Sequence, residues 1–304
     1  MTTPQPSRLT PQTQQRLVQR CVVDFLLGQI GRLHRLHGDL VGGAVYLAIK
    51  QATAVAQKPN GSEAPPRAIS VRAVAQSLGF SYETTRRRVM SLEQAGLVRR
   101  LGEAGVAAVP GAIESKAYRE AAAATHVAEL ALYASLAKLG IVLPDPPRGP
   151  AIDKAELDIA VAALCEDFLL RVIEIGAVPH ASSMAGLVLA AMVSANADPI
   201  TYDPELAVRY GRADTPPPDS VRRPATITEI GVRLGMPHEV ARRRVLGLID
   251  RGYARRVTGG YMVNMEVLQS PQMMESAMMM TQRFVQMTQG LLALGVHPNG
   301  GPTP

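Results

Sequence analysis

The feature that most constrains this chain is an internal repeat. Segments 70–101 and 226–257 align without a gap at an offset of 156, and 11 of their 32 positions are identical. The identical residues of the first copy are Leu78, Gly79, Glu83, Arg86, Arg87, Arg88, Val89, Leu92, Gly96, Arg99 and Arg100. A repeat of this kind predicts one structural unit used twice, and 304 residues are enough for two such units.

The repeat extends beyond these two segments. Asp24–Leu27 matches Asp167–Leu170 at an offset of 143, and Leu136–Ile141 matches Leu291–Val296 at an offset of 155. We therefore predict a flexible N-terminus (1–12), a first repeat (13–143), a linker (144–151), a second repeat (152–296) and a flexible C-terminus (297–304). Connections 57–67 and 198–223 are rich in Pro and polar residues, which predicts solvated loops.

Hydrophobic spacing predicts a mainly α chain with small β-hairpins. Apolar residues recur at helical spacing in 13–34 and 39–56. Ser70 is a predicted N-cap, Gly79 and Gly96 are predicted helix stops, and Thr226 with Glu229 matches a capping box. The predicted order in the first repeat is then helix to Leu78, helix 82–95, strands 97–101 and 106–109, and a long helix 112–140. Aromatic residues make up only 4% of the chain, with no Trp, which disfavours a β-sandwich.

The positive charge is concentrated in the repeated segments. Segment 70–101 holds six arginines against two glutamates, and segment 226–257 holds seven against three acidic residues, so each nets +4. The whole chain nets +6, which leaves −2 for the remainder. Such clustering is typical of phosphate binding.

Both segments resemble the winged helix-turn-helix of bacterial regulators. The pattern that carries the resemblance is a small residue, Leu-Gly, a Glu, an Arg-Arg pair, a Gly and a second Arg-Arg pair, and it occurs twice. The flanking helices resemble the multiple-antibiotic-resistance-regulator type, in which terminal helices of two protomers interlock. The resemblance implies winged helices at 68–110 and 224–264, long packing helices at 112–141 and 266–296, and a pseudo-twofold pair within one chain.

The resemblance and the charge predict binding of double-stranded DNA and transcriptional regulation. A helix in the major groove presents side chains near its N-terminus to base edges, and arginines on a hairpin meet phosphates. Thr85, Val89 and Leu92 are predicted to face the core. The candidate DNA-binding residues are Ser81, Tyr82, Glu83, Thr84, Arg86, Arg87, Arg99 and Arg100 in the first copy, and His238, Glu239, Arg242, Arg243, Arg255, Arg256 and Thr258 in the second.

Other interpretations stay open at the level of sequence. An arginine run on a helix is often only a solvated face, and tandem winged helices also serve in replication initiation, protein interaction or chromosome organisation. Arg88 and Arg244 lie near the core boundary and are candidates for structural roles. The methionines of 273–287 predict either helical core or an adaptable ligand or partner surface. We find no catalytic pattern, no cofactor motif and no metal-ligand cluster, since His34 and His37 fit surface or interface histidines better.

Cysteine usage and hydropathy predict a cytoplasmic location. Cys21 and Cys165 are too few and too distant for a disulfide framework, so both are predicted as buried thiols. Residues 1–14 lack the apolar stretch of a signal peptide. The uncharged stretch 181–197 is short for a membrane span and predicts a buried core helix. The sequence specifies neither a small-molecule effector nor further homodimerisation, and leaves room for both.

Overall fold

The described residues of the first half form five α-helices and one hairpin. The computed structural model describes residues 13–53, 67–141, 143, 152–180 and 182–296, without the side chains of 113, 114 and 177–180. The predicted tails, the linker 144–151 and most of connection 57–67 lie outside these residues. The elements are α1 (Gln15–His37), α2 (Leu40–Ala52), α3 (Val71–Leu78), α4 (Tyr82–Gln94), β1 (Val98–Arg100), β2 (Val106–Ala108) and α5 (Lys116–Lys138).

The second half repeats this order and adds two short helices. Its elements are α6 (Lys154–His180), α7 (Ser183–Thr201), α8 (Pro204–Arg209), α9 (Ile227–Leu234), α10 (His238–Asp250), β3 (Ala254–Val257), β4 (Gly260–Val263), α11 (Met265–Leu268) and α12 (Pro271–Ala293). Strands β1 and β2 pair antiparallel, as do β3 and β4. The described chain is therefore mainly helical with two small antiparallel sheets, as the sequence predicts.

The two repeats adopt the same local geometry. Ser70 and Thr226 each accept a hydrogen bond from the backbone three residues on, and so cap α3 and α9. Gly79 and Gly235 end these helices at φ of 62° and 63°, a left-handed conformation that favours glycine. The residue before each N-cap forms a single antiparallel bridge to the hairpin, Ile69 with Val106 and Ala225 with Tyr261.

Contacts between the two halves are reciprocal. Helix α1 contacts α7, α9 and α12 of the second half, while α6 contacts α2, α3 and α5 of the first. These are equivalent sets, because α6 corresponds to α1, α7 to α2, α9 to α3 and α12 to α5. One continuous core, which includes Val22, Phe25, Phe168 and Ile173, joins the halves.

Connection 198–223 is not the solvated loop that its composition predicts. Helix α7 continues to Thr201 through Pro199, α8 follows, and Ala207 and Arg222 are buried. Arg20 of α1 donates to the carbonyls of Tyr210 and Ala207. The prediction failed because the segment packs against α1, where tertiary contacts outweigh its Pro-rich composition.

Three smaller predictions are also wrong in detail. Helix α5 begins at Lys116, after a 3-10 turn at 110–114, rather than at 112. The second helix ends at Ala52 instead of reaching 56. The capping box at α9 is half formed, because the Glu229 carboxylate pairs with Arg223 and Arg233 instead of reaching back to its own cap.

The most apolar helix lies inside the fold. By length and composition, α7 is the one described helix apolar enough to cross a membrane, yet 72% of its apolar window is buried in the protein. It therefore fits the predicted core helix and is consistent with a soluble protein. Cys21 and Cys165 are both free and buried, as predicted.

Candidate nucleic-acid interface

Helix α4 buries one face and exposes the other at its N-terminal end. Thr85, Val89 and Leu92 are buried, which confirms the predicted core face. Tyr82 is 52% exposed and the Arg87 side chain 68% exposed. Ser81 caps the helix, since its Oγ accepts from the Thr84 amide and donates to Thr84 Oγ1. The start of α4 thus presents an aromatic ring, two hydroxyls and arginines on one surface.

An acidic side chain organises the arginines of this surface. Glu83 accepts two hydrogen bonds from Arg86, with Nε–Oε2 at 2.9 Å and Nη2–Oε1 at 3.0 Å. Arg86 thereby holds the pKa of Glu83 below its ordinary value. The Nε of Arg87 lies 3.8 Å from the same carboxylate. Arg86 is therefore partly neutralised, while Arg87 is the more available cation.

The third arginine of the run has a structural contact in the first copy. Arg88 Nη1 lies 3.1 Å from Asp39 Oδ2, and Asp39 also caps α2 by accepting from the Gly42 amide. Arg88 therefore joins α4 to the start of α2. Its equivalent Arg244 is exposed and has no ion-pair partner among the described residues.

Helix α10 exposes the same positions as α4, but several of them carry different residues. Ala241, Val245 and Leu248 are buried, and His238, Glu239, Arg242 and Arg243 are exposed. Glu239 lies 3.7 Å from Arg242 Nη1 and 3.4 Å from His238 Nδ1. The N-cap is Pro237, which supplies no side-chain cap. The two helix starts therefore share their arginines and differ in the residues around them.

Both hairpins carry exposed arginines. We expected alternation to turn one residue of each arginine pair outward, but Arg99 and Arg100 are both exposed because this short strand is uncovered at that end. Arg100 pairs with Glu93 at 3.0 Å. Arg255 is held by Asn264 and Asp219, whereas Arg256 and Thr258 are exposed. Arg99 and Arg256 are thus the hairpin arginines that no described carboxylate neutralises.

One arginine of the second segment belongs to a different environment. Arg233 binds Ser194 at 2.6 Å, Asp198 at 2.7 Å and Glu229 at 3.1 Å, and its Nη1 lies 4.0 Å from Asp24. It therefore joins α9 to α7 and α1. Its charge is counted in the net +4 of segment 226–257, but these contacts hold Arg233 between helices and not on the exposed surface of α10.

The two histidines of α1 pack within the fold. His37 lies between the rings of Tyr46 and Tyr118, with centroid distances of 4.9 and 5.8 Å. Burial lowers its pKa to about 4. His34 lies against Gly235, where an added Cβ would come within 3.0 Å of the ring. The described residues include no group of three or more His, Cys, Asp or Glu side chains that could hold a metal.

The geometry thus defines a mainly helical protein with two equivalent arginine-bearing surfaces, each built from a helix start and a hairpin. No protein-family model, curated protein or solved structure matches this chain.

Proposed function

We propose that the chain binds double-stranded DNA sequence-specifically and regulates transcription, with each half contributing one winged helix. The observation that carries the proposal is the recurrence of an exposed arginine pair at the same place in both repeats. Arg86 and Arg87 are the fifth and sixth residues of α4, and Arg242 and Arg243 are the fifth and sixth residues of α10. An incidental solvated face would have no reason to be kept at both positions together with hairpin arginines.

The chemistry of these surfaces suits the two parts of a DNA duplex. Arginine donates to O6 and N7 of guanine in the major groove, and a glutamate accepts from cytosine N4. Exposed hairpin arginines, such as Arg99 and Arg256, suit the phosphate backbone. The helix start would then carry sequence discrimination, and the hairpin would carry affinity.

Reciprocal contacts favour a pseudo-twofold arrangement of the two halves. In a twofold pair, each contact from one half to the other has its counterpart in the opposite direction. The contacts of α1 and α6 follow this rule. We expect α4 and α10 to enter successive major grooves about 34 Å apart, as in dimeric helix-turn-helix proteins. Two buried free thiols fit a reducing cytoplasm.

The test is selection of bound sequences from a random duplex pool, followed by titration of single-residue variants. We expect two half-sites that are related but not identical, because Tyr82 and Thr84 of the first copy are replaced by His238 and Val240. Arg87→Ala should weaken binding about 5- to 100-fold, as the loss of one base contact does, and relax preference in one half-site. Arg243→Ala should do the same in the other half-site.

The matched control is Arg283→Ala, which removes an exposed arginine on α12 outside both surfaces. It should leave affinity and half-site preference unchanged. Arg100→Ala should weaken binding to all sequences and reduce the salt dependence, if its guanidinium leaves Glu93 for a phosphate. Equal affinities for wild type and for both helix variants would overturn the proposal, as would a pool that yields no enriched sequence.

A further inference from the structure

A cavity of about 230 Å³ lies between α1, α6, α7 and α12. Its walls are largely apolar and include Val23, Val193, Met273 and Met280. One buried water needs only about 10–15 Å³ of such space. The cavity is therefore large enough for a small organic molecule, and its methionines can adapt to one.

The same cavity is lined by three arginines and by no Asp or Glu. Arg20 is held by two backbone carbonyls, and Arg16 by the carbonyl of Ala213. Burial lowers the pKa of Arg20 to about 10, so it remains a cation at neutral pH. The nearest acids are engaged elsewhere, Asp24 with Ser194 and Tyr202, and Asp214 with Arg212.

The third arginine differs from the first two. Arg222 pairs with Asp219 and donates to the carbonyl of Val263. Asp214 and Asp24 lie near enough to favour the charged forms of Arg16 and Arg20, but neither acid forms an ion pair with them or lines the cavity. An anionic group inside the cavity is therefore the complement that this wall favours.

The duplication supplies a counterpart for this cavity in the other half. A second cavity lies between α6, α1, α2 and α5 and measures only about 50 Å³. Most of its lining residues are repeat equivalents of residues that line the larger cavity. Glu166 corresponds to Val23, Lys50 to Val193, Tyr118 to Met273 and Thr125 to Met280. The two cavities are thus copies of one site that have diverged.

Polar side chains close the smaller copy. Lys50 and Glu166 form an ion pair across it, and the Tyr118 hydroxyl lies 3.2 Å from His37 Nε2. Thr125 donates to Gln29 at 3.1 Å. Where these groups bind one another, the larger copy has valines and methionines that leave space. Of these two equivalent cavities, only the larger therefore has space for a ligand.

We propose that the larger cavity binds one small carboxylate with an apolar body, such as a medium-chain or aromatic acid, per chain. The apolar portion would lie against the valines and methionines, and the carboxylate would lie toward Arg16 and Arg20. This binding needs no DNA, so it can be measured and can fail independently of the proposed function.

Isothermal titration of the full chain with octanoate and 1-naphthoate tests the proposal. We expect one site per chain, and at least tenfold weaker binding of 1-octanol and octyltrimethylammonium, which match the octanoate chain without its negative charge. Two equivalent sites, or no binding of either acid, would overturn the proposal. Equal binding of the acid, the alcohol and the cation would show that the negative charge is not recognised, and would overturn the assignment of a carboxylate ligand.

Paired variants at repeat-equivalent positions locate the site. Ser276→Leu places a larger side chain in the open cavity and should reduce octanoate binding at least tenfold. Ala121→Leu places the same side chain at the equivalent position of the closed copy and should leave binding unchanged. Arg16→Gln should weaken octanoate about tenfold and leave 1-octanol unaffected, which tests the site even if Ser276→Leu proves unstable. Wild-type affinity in both Ser276→Leu and Arg16→Gln would contradict the assignment.

Discussion

Glu129 is the residue whose setting departs most from what its chemistry favours. It lies on α5, and none of its surface is exposed. Burial raises its pKa to about 8. Its titratable neighbours Tyr133 and Cys165 are also buried, and burial raises the pKa of each. A carboxyl in this environment is carried as the neutral acid at neutral pH.

This burial makes the stability of the fold depend on pH. Below pH 4.5, the ordinary value, Glu129 is protonated in both the folded and the unfolded chain. As the pH rises from there toward 8, only the unfolded chain ionises, so the free energy of unfolding falls. Each pKa unit is worth about 1.4 kcal/mol, which makes the loss several kcal/mol. Glu129→Gln should flatten this fall in denaturant titrations at pH 5 and pH 8.

The control for this prediction is Glu120→Gln on the same helix. Glu120 is exposed and lies 3.7 Å from Lys116, so its loss should change stability by less than about 1 kcal/mol at either pH. A wild-type-like pH dependence in Glu129→Gln would show that the carboxyl is solvated in the folded chain.

At the scale of elements, each hairpin is tied to a core helix by one equivalent side chain. Thr53, at the end of α2, accepts a hydrogen bond from the Ala108 amide at 3.1 Å. Asn196, its repeat equivalent on α7, accepts from the Val263 amide at 2.9 Å and donates to the carbonyls of Tyr261 and Arg223. The β3–β4 hairpin is therefore held by more bonds than β1–β2.

Asn196→Ala should loosen β3–β4 more than Thr53→Val loosens β1–β2. Each buried backbone group left without a partner costs about 1–3 kcal/mol. Asn196→Ala removes the partner of the Val263 amide and of the Arg223 carbonyl, whereas the Tyr261 carbonyl still accepts from the Ala225 amide. Amide hydrogen exchange measures the effect hairpin by hairpin. Protection should fall most at Val263 in Asn196→Ala and at Ala108 in Thr53→Val, and each variant serves as the control for the other. Uniform loss across both hairpins would contradict these local roles.

The elements that sequence predicts well are those whose signals are local. Ser70, Gly79 and Gly96 mark helix ends through caps and backbone conformation, and these ends lie where predicted. The path of 198–223 depends on Arg20, more than a hundred positions away in sequence, and both cavities are lined by residues from the two halves. The contacts of Arg233 join three helices, α9, α7 and α1. Local sequence patterns do not predict contacts between residues so distant in sequence. The arginines at the helix starts were identified because the repeat marks them twice.

At the scale of the whole molecule, the two repeats of the chain pack against each other. Helices α1 and α6 each contact elements of the opposite half, so the halves share one core instead of being linked flexibly. Because both copies lie in one chain, their sequences can differ. The N-caps of α4 and α10 are Ser81 and Pro237, and the two cavities differ in size.

If the chain binds DNA as proposed, its shared core predicts a strict dependence of that binding on half-site spacing. One chain should bind one duplex, with half-sites about one helical turn apart. Inserting 5 base pairs turns the second half-site to the opposite face, and should weaken binding to the level of a single half-site. Inserting 10 base pairs restores the face but adds about 34 Å, which two halves packed through α1 and α6 cannot span, so binding should stay weak.

Gel-shift titration with analytical ultracentrifugation measures affinity and stoichiometry together. Recovery of affinity with the 10-base-pair insertion would mean that the halves separate in solution, and two chains per duplex would mean that the second half-site is met by another molecule.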